Sequence, residues 1–261
     1  MSAYYNEFDP YAAQWLRNLI EAGHIAPGIV DERSIEDVHP SDLRGFTQCH
    51  FFAGIGVWSL ALRQAGWTDD RPVWTGSCPC QPFSEAGAGA GFDDPRHLWP
   101  HFAWLIKQCG PPVIFGEQVA SKAVGPWIDL VQANVEAMDY AFGAVAFPAA
   151  GGGAPHIRDR TYWCADAERA NCGRQAASAN HRQQEALRSS DWTGGCSGSP
   201  VAGFWADAEW VQCKDGRTRP TESGVVPVVD GFAGRVEQLR AYGNAINAEA
   251  ATQFIAAYLE T

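Results

Sequence analysis

Cys49-His50-Phe51-Phe52-Ala53-Gly54-Ile55-Gly56 runs straight into an apolar-periodic stretch from about Trp58 to Gln64, which Gly66 closes. A short apolar run, a glycine turn and a helical pattern in succession form the sequence signature of a βα nucleotide-binding unit. The same alternation continues on either side. Upstream, Tyr4 and Tyr5 read as a short strand ending at Glu7, and Pro10 opens a helix with Asp9 as its N-cap. Trp15, Leu16, Leu19 and Ile20 share one face of that helix, and Gly23 stops it. Ile29 to Val38 reads as a second short strand. Downstream, Val73 to Ser77 leads into Cys78-Pro79-Cys80-Gln81-Pro82-Phe83-Ser84, followed by a Gly/Ala loop from Glu85 to Gly91. Leu98 to Gln108 predicts a helix, Val113 to Phe115 a buried strand, Trp127 to Met138 a helix and Ala144 to Phe147 a strand. An amphipathic helix over Ala248 to Leu259 ends the pattern. The alternation predicts an α/β fold built on a doubly wound, Rossmann-like sheet.

The composition fits that reading. Of 261 residues, 46% are hydrophobic, enough to fill a sizeable core and too many for a disordered chain. No apolar run reaches the length of a membrane span, and Met1 to Pro10 lacks a basic-then-apolar signal pattern, so a cytoplasmic protein with no membrane partner is expected. Eight cysteines in such a chain point to a reducing compartment rather than a disulfide scaffold. A net charge of −11 excludes a generally basic nucleic-acid coat but permits a local basic groove. From Asp166 to about Pro220 the chain turns rich in Gly, Ser, Arg and Asn and loses its periodicity. Cys172, Cys196 and Cys213 fall there, with Cys164 and His181 nearby, at wide spacings with no Cys-x-x-Cys pair, so no metal is expected.

Three places carry candidate chemistry. Cys80 stands just past an apolar strand and beside a glycine loop, where α/β enzymes place reactive groups. Glu117 lies just past the Val113–Phe115 strand. Arg158 and Arg160 project the same way if their segment is extended. Each also has an ordinary reading when taken alone: an incidental cysteine, a strand-end acid, a solvated basic edge.

Together these motifs resemble the DNA cytosine-C5 methyltransferase family, over most of the chain. Phe52-Ala53-Gly54-Ile55-Gly56 is similar to its first motif, Pro79-Cys80-Gln81-Pro82-Phe83-Ser84 to its catalytic motif, Glu117-Gln118-Val119 to its Glu-Asn-Val motif and His156-Ile157-Arg158-Asp159-Arg160 to its Gln-x-Arg-x-Arg motif. Arg96 to Trp99 resembles the fifth motif and Gly243-Asn244-Ala245-Ile246 the closing one. Two units expected between the first motif and the catalytic cysteine are missing there. Asn6-Glu7-Phe8-Asp9-Pro10-Tyr11 and Arg33-Ser34-Ile35-Glu36-Asp37-Val38 resemble them instead, which implies a permuted order. His50 replaces an acid, Val57 a glycine, Gln118 an asparagine, and Ser34 an aspartate that meets the cofactor adenine, unless Asp31 takes that role.

The resemblance implies three regions. Residues 1–165 form the catalytic and cofactor-binding domain, with the displaced unit at 1–48, the first motif at 49–66 and the catalytic motifs at 73–165. Residues 166–235 form a small target-recognition region, and 236–261 return to the first domain. It implies S-adenosylmethionine as methyl donor, held by Glu7, Phe8, Ser34, Ile35, Phe52, Ala53, Gly54, Ile55, Gly56, Pro79, Leu98 and Asn244. Cys80 is the implied nucleophile and Glu117 the proton holder, with Arg158 and Arg160 ordering the site. Double-stranded DNA is the implied partner. The target cytosine leaves the duplex and the 85–92 loop closes over it. Arg169, Arg174, Arg182, Arg188, Lys214, Arg217 and Arg219 are placed to read a short target. The compact chain resembles orphan enzymes of phages and prophages. The alternatives are an RNA cytosine-C5 methyltransferase and a DNA-binding module that has lost catalysis or needs a partner chain.

Overall fold

The computed structural model describes residues 3–79, 98–120, 124–149, 158–170 and 245–261, together with the backbone of 209–212 and 218–221. In chain order these form β1 (Ala3–Asn6), α1 (Pro10–Glu21), β2 (Gly28–Asp31), β3 (Gln48–Phe51), α2 (Val57–Gln64), β4 (Val73–Gly76), α3 (Trp99–Cys109), β5 (Val113–Val119), α4 (Gly125–Glu136), β6 (Ala141–Pro148), β7 (Asp159–Asp166) and α5 (Ala248–Leu259). Two further strands, β8 (Glu209–Gln212) and β9 (Thr218–Thr221), pair with each other as a separate antiparallel ribbon.

The first seven strands make one sheet in the order β2-β1-β3-β4-β5-β7-β6. The strands from β2 through β5 are parallel neighbours, and β7 runs antiparallel between β5 and β6. Strand alternation sorts the side chains into two cores. Tyr5, His50, Thr75 and Phe115 form one cross-strand row, facing α1, α2 and α5. Tyr4, Cys49, Trp74 and Ile114 form the row on the opposite face, under α3 and α4. That second core is dominated by fully buried Trp99, Trp127 and Trp163; Trp99 meets the other two edge to face at 5.7 and 6.0 Å. Removing such a ring costs about 3–5 kcal/mol, so this layer fixes the sheet on which the site is mounted.

Local signals account for most element ends. Asp9 caps α1, its Oδ1 accepting from the Tyr11 and Ala12 N–H groups, with Pro10 at the first helical position. Asn247 does the same for α5, which packs on α2 and spans the residues the periodicity predicts. Two expectations are corrected. The strand anticipated over 29–38 ends at Asp31; Ile35–Asp37 is a 3-10 turn, because the Ser34 hydroxyl accepts the Glu36 N–H and offers the backbone a turn instead of a ladder. Glu117 is not past its strand but inside it, since β7 pairs with β5 all the way to Val119 opposite Arg160. No helix among the described residues is long and apolar enough to cross a membrane.

Candidate active site

The carboxyl ends of β1, β3, β4 and β5 open on one rim of the sheet, the usual location of ligand sites in open α/β folds. Its β1–β3 half is built from backbone. Phe52, Gly54 and Gly56 all take positive φ (52°, 55° and 79°), which swings the chain from β3 over the sheet into α2. Gly56 is also packed tightly: a Cβ there would lie 3.0 Å from Leu16 and 3.1 Å from Ile25. Gly54 is the opposite, with open space where its side chain would project. Glu7 pins this turn. Its Oε2 accepts the Gly54 N–H at 2.6 Å and its Oε1 the Asp9 N–H at 2.9 Å, while the Ala53 N–H donates to the Asn6 carbonyl. Phe8, next in the chain, is 72% exposed. Glu7, Phe8 and Phe52 to Gly56 therefore meet in one place, although Glu7 and Gly54 stand 47 positions apart.

The rest of the expected cofactor set is more scattered. Leu98 and Phe52 pack against the same core. Ile35 is 3% exposed and faces inward, so its side chain belongs to the core rather than the rim. Ser34 is spent on its turn. Asp31 accepts from the Tyr4 hydroxyl at 2.7 Å and pairs with Arg33, which also bridges to Asp42. Although burial pushes Asp31 up, these donors hold its carboxyl below the usual range. His50 is fully buried, its Nδ1 against the Thr75 hydroxyl and its ring stacked on Tyr5 at 4.8 Å. Burial lowers its pKa to about 3, so it is a neutral core residue. Asn244 lies outside the described residues.

The β4–β5–β7 half is built from side chains. Cys80 and the 85–92 loop lie outside the described residues, but the segment that delivers the cysteine is anchored. Gln118 reaches from β5 and donates to the Cys78 carbonyl at 3.1 Å, while its own oxygen accepts the Val119 N–H. Its neighbour Glu117 is 7% exposed, and its Oε1 meets the Arg160 Nε at 2.6 Å. Burial pushes Glu117 above the usual carboxylate range in spite of Arg160, the Ser77 hydroxyl and Arg158, all of which favour the anion. Arg158 has φ +35° and donates through Nη2 to the Ala245 carbonyl, tying the start of β7 to the segment before α5. Burial and the neighbouring Arg160 lower its pKa.

Glu117, Arg158 and Arg160 thus come together beside the chain leading from Pro79. Gln118, Ser77 and Trp58 were not among the expected site residues. Gln118 alone carried a readable signal: a long polar side chain on an otherwise apolar, buried strand has to find a hydrogen-bond partner. The site presents a buried carboxyl able to share a proton with a ring nitrogen, a guanidinium beside it, and an adjoining open glycine turn. Among the described residues no group of His, Cys, Asp and Glu is arranged to hold a metal ion.

Comparison with known proteins adds the following. Residues 69–192 match the family model of C-5 cytosine-specific DNA methylases. Type II methyltransferase M.HhaI of Haemophilus parahaemolyticus is 33% identical over 97 residues, 36% of this chain and 30% of its own length. Type II methyltransferase M.AluI of Cellulosimicrobium cellulans is 31% identical over 109 residues, 37% of this chain and 21% of its own. The matched stretch spans less than a third of either relative. Among solved structures, a Spodoptera frugiperda DNMT2 mutant superposes with a TM-score of 0.41 at 16% identity, over 64% of this chain and 42% of that one. The S. pombe Dnmt2 methyltransferase gives 0.39 at 13% identity, over 64% and 51%.

Proposed function

We propose that the chain is a member of the C-5 cytosine-specific DNA methylase family, whose model residues 69–192 match, and that it transfers a methyl group from S-adenosylmethionine to C5 of a cytosine in double-stranded DNA. The observation that carries this reading is the buried Glu117–Arg160 pair, held on β5 and β7 beside the segment from which Cys80 emerges.

The chemistry follows from the weakness of cytosine C5 as a nucleophile. The Cys80 thiolate adds to C6, and the electron pair moves toward C5 and the ring nitrogen N3. Glu117 holds a proton at N3, so the negative charge that would build up in the ring is neutralised as the C6–S bond forms. A carboxyl kept above its usual pKa is suited to that task. Arg160, paired with Glu117, would meet the cytosine O2, and Arg158 ties the start of β7 to the Ala245 carbonyl. Bound S-adenosylmethionine would supply an electrophilic methyl group to C5, leaving S-adenosylhomocysteine; a base, such as water, then takes the C5 proton, the C6–S bond breaks and Cys80 is released as thiolate. Exposed Phe8, the Glu7 carboxylate and the open face over Gly54 fit a nucleoside with a ribose and a flat base. The permuted order of motifs is supported by the sheet itself, where β1 lies between β2 and β3 and so delivers Glu7 to the glycine turn. A cytosine within a duplex must be extruded to reach this rim.

The test is transfer of label from tritiated S-adenosylmethionine to mixed-sequence duplex DNA and, in parallel, to RNA. Label in 5-methylcytosine of the DNA, absent with Cys80→Ala, supports the proposal. Label in RNA alone moves the substrate. DNA binding without transfer reduces the protein to a binding module.

A further inference from the structure

Resting on the reading of Glu117 as the proton holder, the geometry points to Ser77 as a positioning residue: locked by the Trp58 indole, its hydroxyl becomes an obligate donor to the Glu117 carboxylate. Trp58 Nε1 donates to the Ser77 oxygen at 3.0 Å. An indole N–H can only donate, so the serine oxygen must accept there, and its proton is left to point elsewhere. Ser77 follows Gly76, which pairs with Gly116 across β4 and β5, so it stands level with Glu117, whose carboxylate can only accept when ionised. The chain of bonds therefore has a single direction, from Trp58 through Ser77 to Glu117.

Trp58 has little freedom to turn away. It is 4% exposed, lies over Phe115 with centroids 6.2 Å apart and nearly parallel rings, and meets Tyr162 edge-on at 6.2 Å. Phe115 and Tyr162 belong to β5 and β7, which also carry Glu117 and Arg160. The acid is thus approached from two sides, by Arg160 on β7 and by Ser77 at the end of β4. Among the described residues, the groups around it are Arg160 and Tyr162 of β7, Arg158 just before β7, Ser77 just after β4 and, behind Ser77, Trp58 of α2. Trp58 lies in the first turn of α2, immediately after the glycine turn. A residue of the cofactor half therefore sets the hydrogen bonding of the acid in the other half. Burial favours the protonated acid and the Ser77 donor favours the anion, so Ser77 moderates how tightly Glu117 keeps its proton.

Carbon-13 NMR of protein labelled at the glutamate carboxyl tests this directly, with the Glu117 signal assigned from Glu117→Gln. It is measured on the whole chain without DNA or methyl donor. Ser77→Ala is expected to raise the Glu117 titration midpoint by roughly one pH unit. Trp58→Phe, which keeps the ring and loses only the N–H, should raise it by less. Ser77→Thr should restore the wild-type value. In the methylation assay, the limb of the kcat profile that falls as pH rises should shift upward with Ser77→Ala by the same amount. A melting temperature within about 2 °C of wild type separates the effect from misfolding; if Ser77→Ala fails this check, Trp58→Phe decides. An unmoved Glu117 titration in both variants overturns the proposal. The titration needs no turnover, so an inactive wild-type protein would count against the methyl-transfer reading and leave the Ser77 result standing.

Discussion

An edge strand and an interior strand of the sheet treat a carboxyl group in opposite ways. Asp31, at the end of β2, is ringed by the Tyr4 hydroxyl and the Arg33 guanidinium, and these outweigh its partial burial and hold it ionised. Glu117, on β5, has Arg160 against it at 2.6 Å, yet burial prevails and its pKa is raised. A cation near a carboxylate is therefore not enough to predict its state; the exposure of the pair decides which effect wins. The β1–β3 half uses acids as fixed props, as Glu7 does for the glycine turn. The β5–β7 half holds an acid close to giving and taking a proton, which suits chemistry and costs stability.

The contrast can be broken first at Glu117. Glu117→Gln is expected to lower kcat by about a hundredfold or more. It should also be more stable than wild type at neutral pH. A carboxyl with a raised folded pKa lowers stability progressively as pH rises through its unfolded value toward the folded one. The advantage of the glutamine should therefore shrink to nothing on acidification, which thermal melts across pH 4 to 8 would reveal. Arg160→Ala strands the buried carboxylate and should cost about 3 kcal/mol at pH 8 and much less at pH 5, where protonation relieves it. Gly56→Ala must accept a φ of +79° and press on Leu16 and Ile25, for a loss of about 2 kcal/mol in urea titrations. Phe8→Ala should weaken S-adenosylmethionine binding about tenfold by calorimetry while leaving the melting temperature unchanged, because the ring is 72% exposed. The smallest effect belongs to Asp31→Asn. It should cost about 1 kcal/mol or less at neutral pH, and the loss should fade as pH falls through the ordinary carboxylate range. The Asp31 and Glu117 variants thus depart from wild type in opposite directions, and a shared sign would undo the comparison.

Much of the β1–β3 half was legible in the sequence because its determinants are local. Asp9-Pro10 starts α1, the glycines turn β3 into α2, and Ala248 to Leu259 shows its helical period over its whole length. The β5–β7 half was legible only as residue identities. Residues 159–166 are Asp-Arg-Thr-Tyr-Trp-Cys-Ala-Asp. Tyr162 and Trp163 are both buried, on opposite faces, so the polar alternation that announces a half-exposed strand is missing. Without β7, Glu117 could only be read as a strand-end acid, because the partner that extends β5 past it comes from the antiparallel return. Ile35 shows the converse: a 3-10 turn that the flanking residues do not announce carries it into the core. Ser77 and Gln118 gain meaning only from Trp58 and Cys78, whose positions relative to them are set by the sheet.

The most direct measurement uses duplex DNA carrying 5-fluorocytosine, incubated with the protein and S-adenosylmethionine and followed by intact mass and peptide mapping. Fluorine at C5 blocks the elimination that would release the enzyme, so a thiol added to C6 stays attached. The expected product is a stable protein–DNA adduct bearing a transferred methyl group, mapped to Cys80, abolished by Cys80→Ala and strongly slowed by Glu117→Gln. Folded protein that forms no adduct on duplex DNA, or an adduct that survives Cys80→Ala, would contradict it.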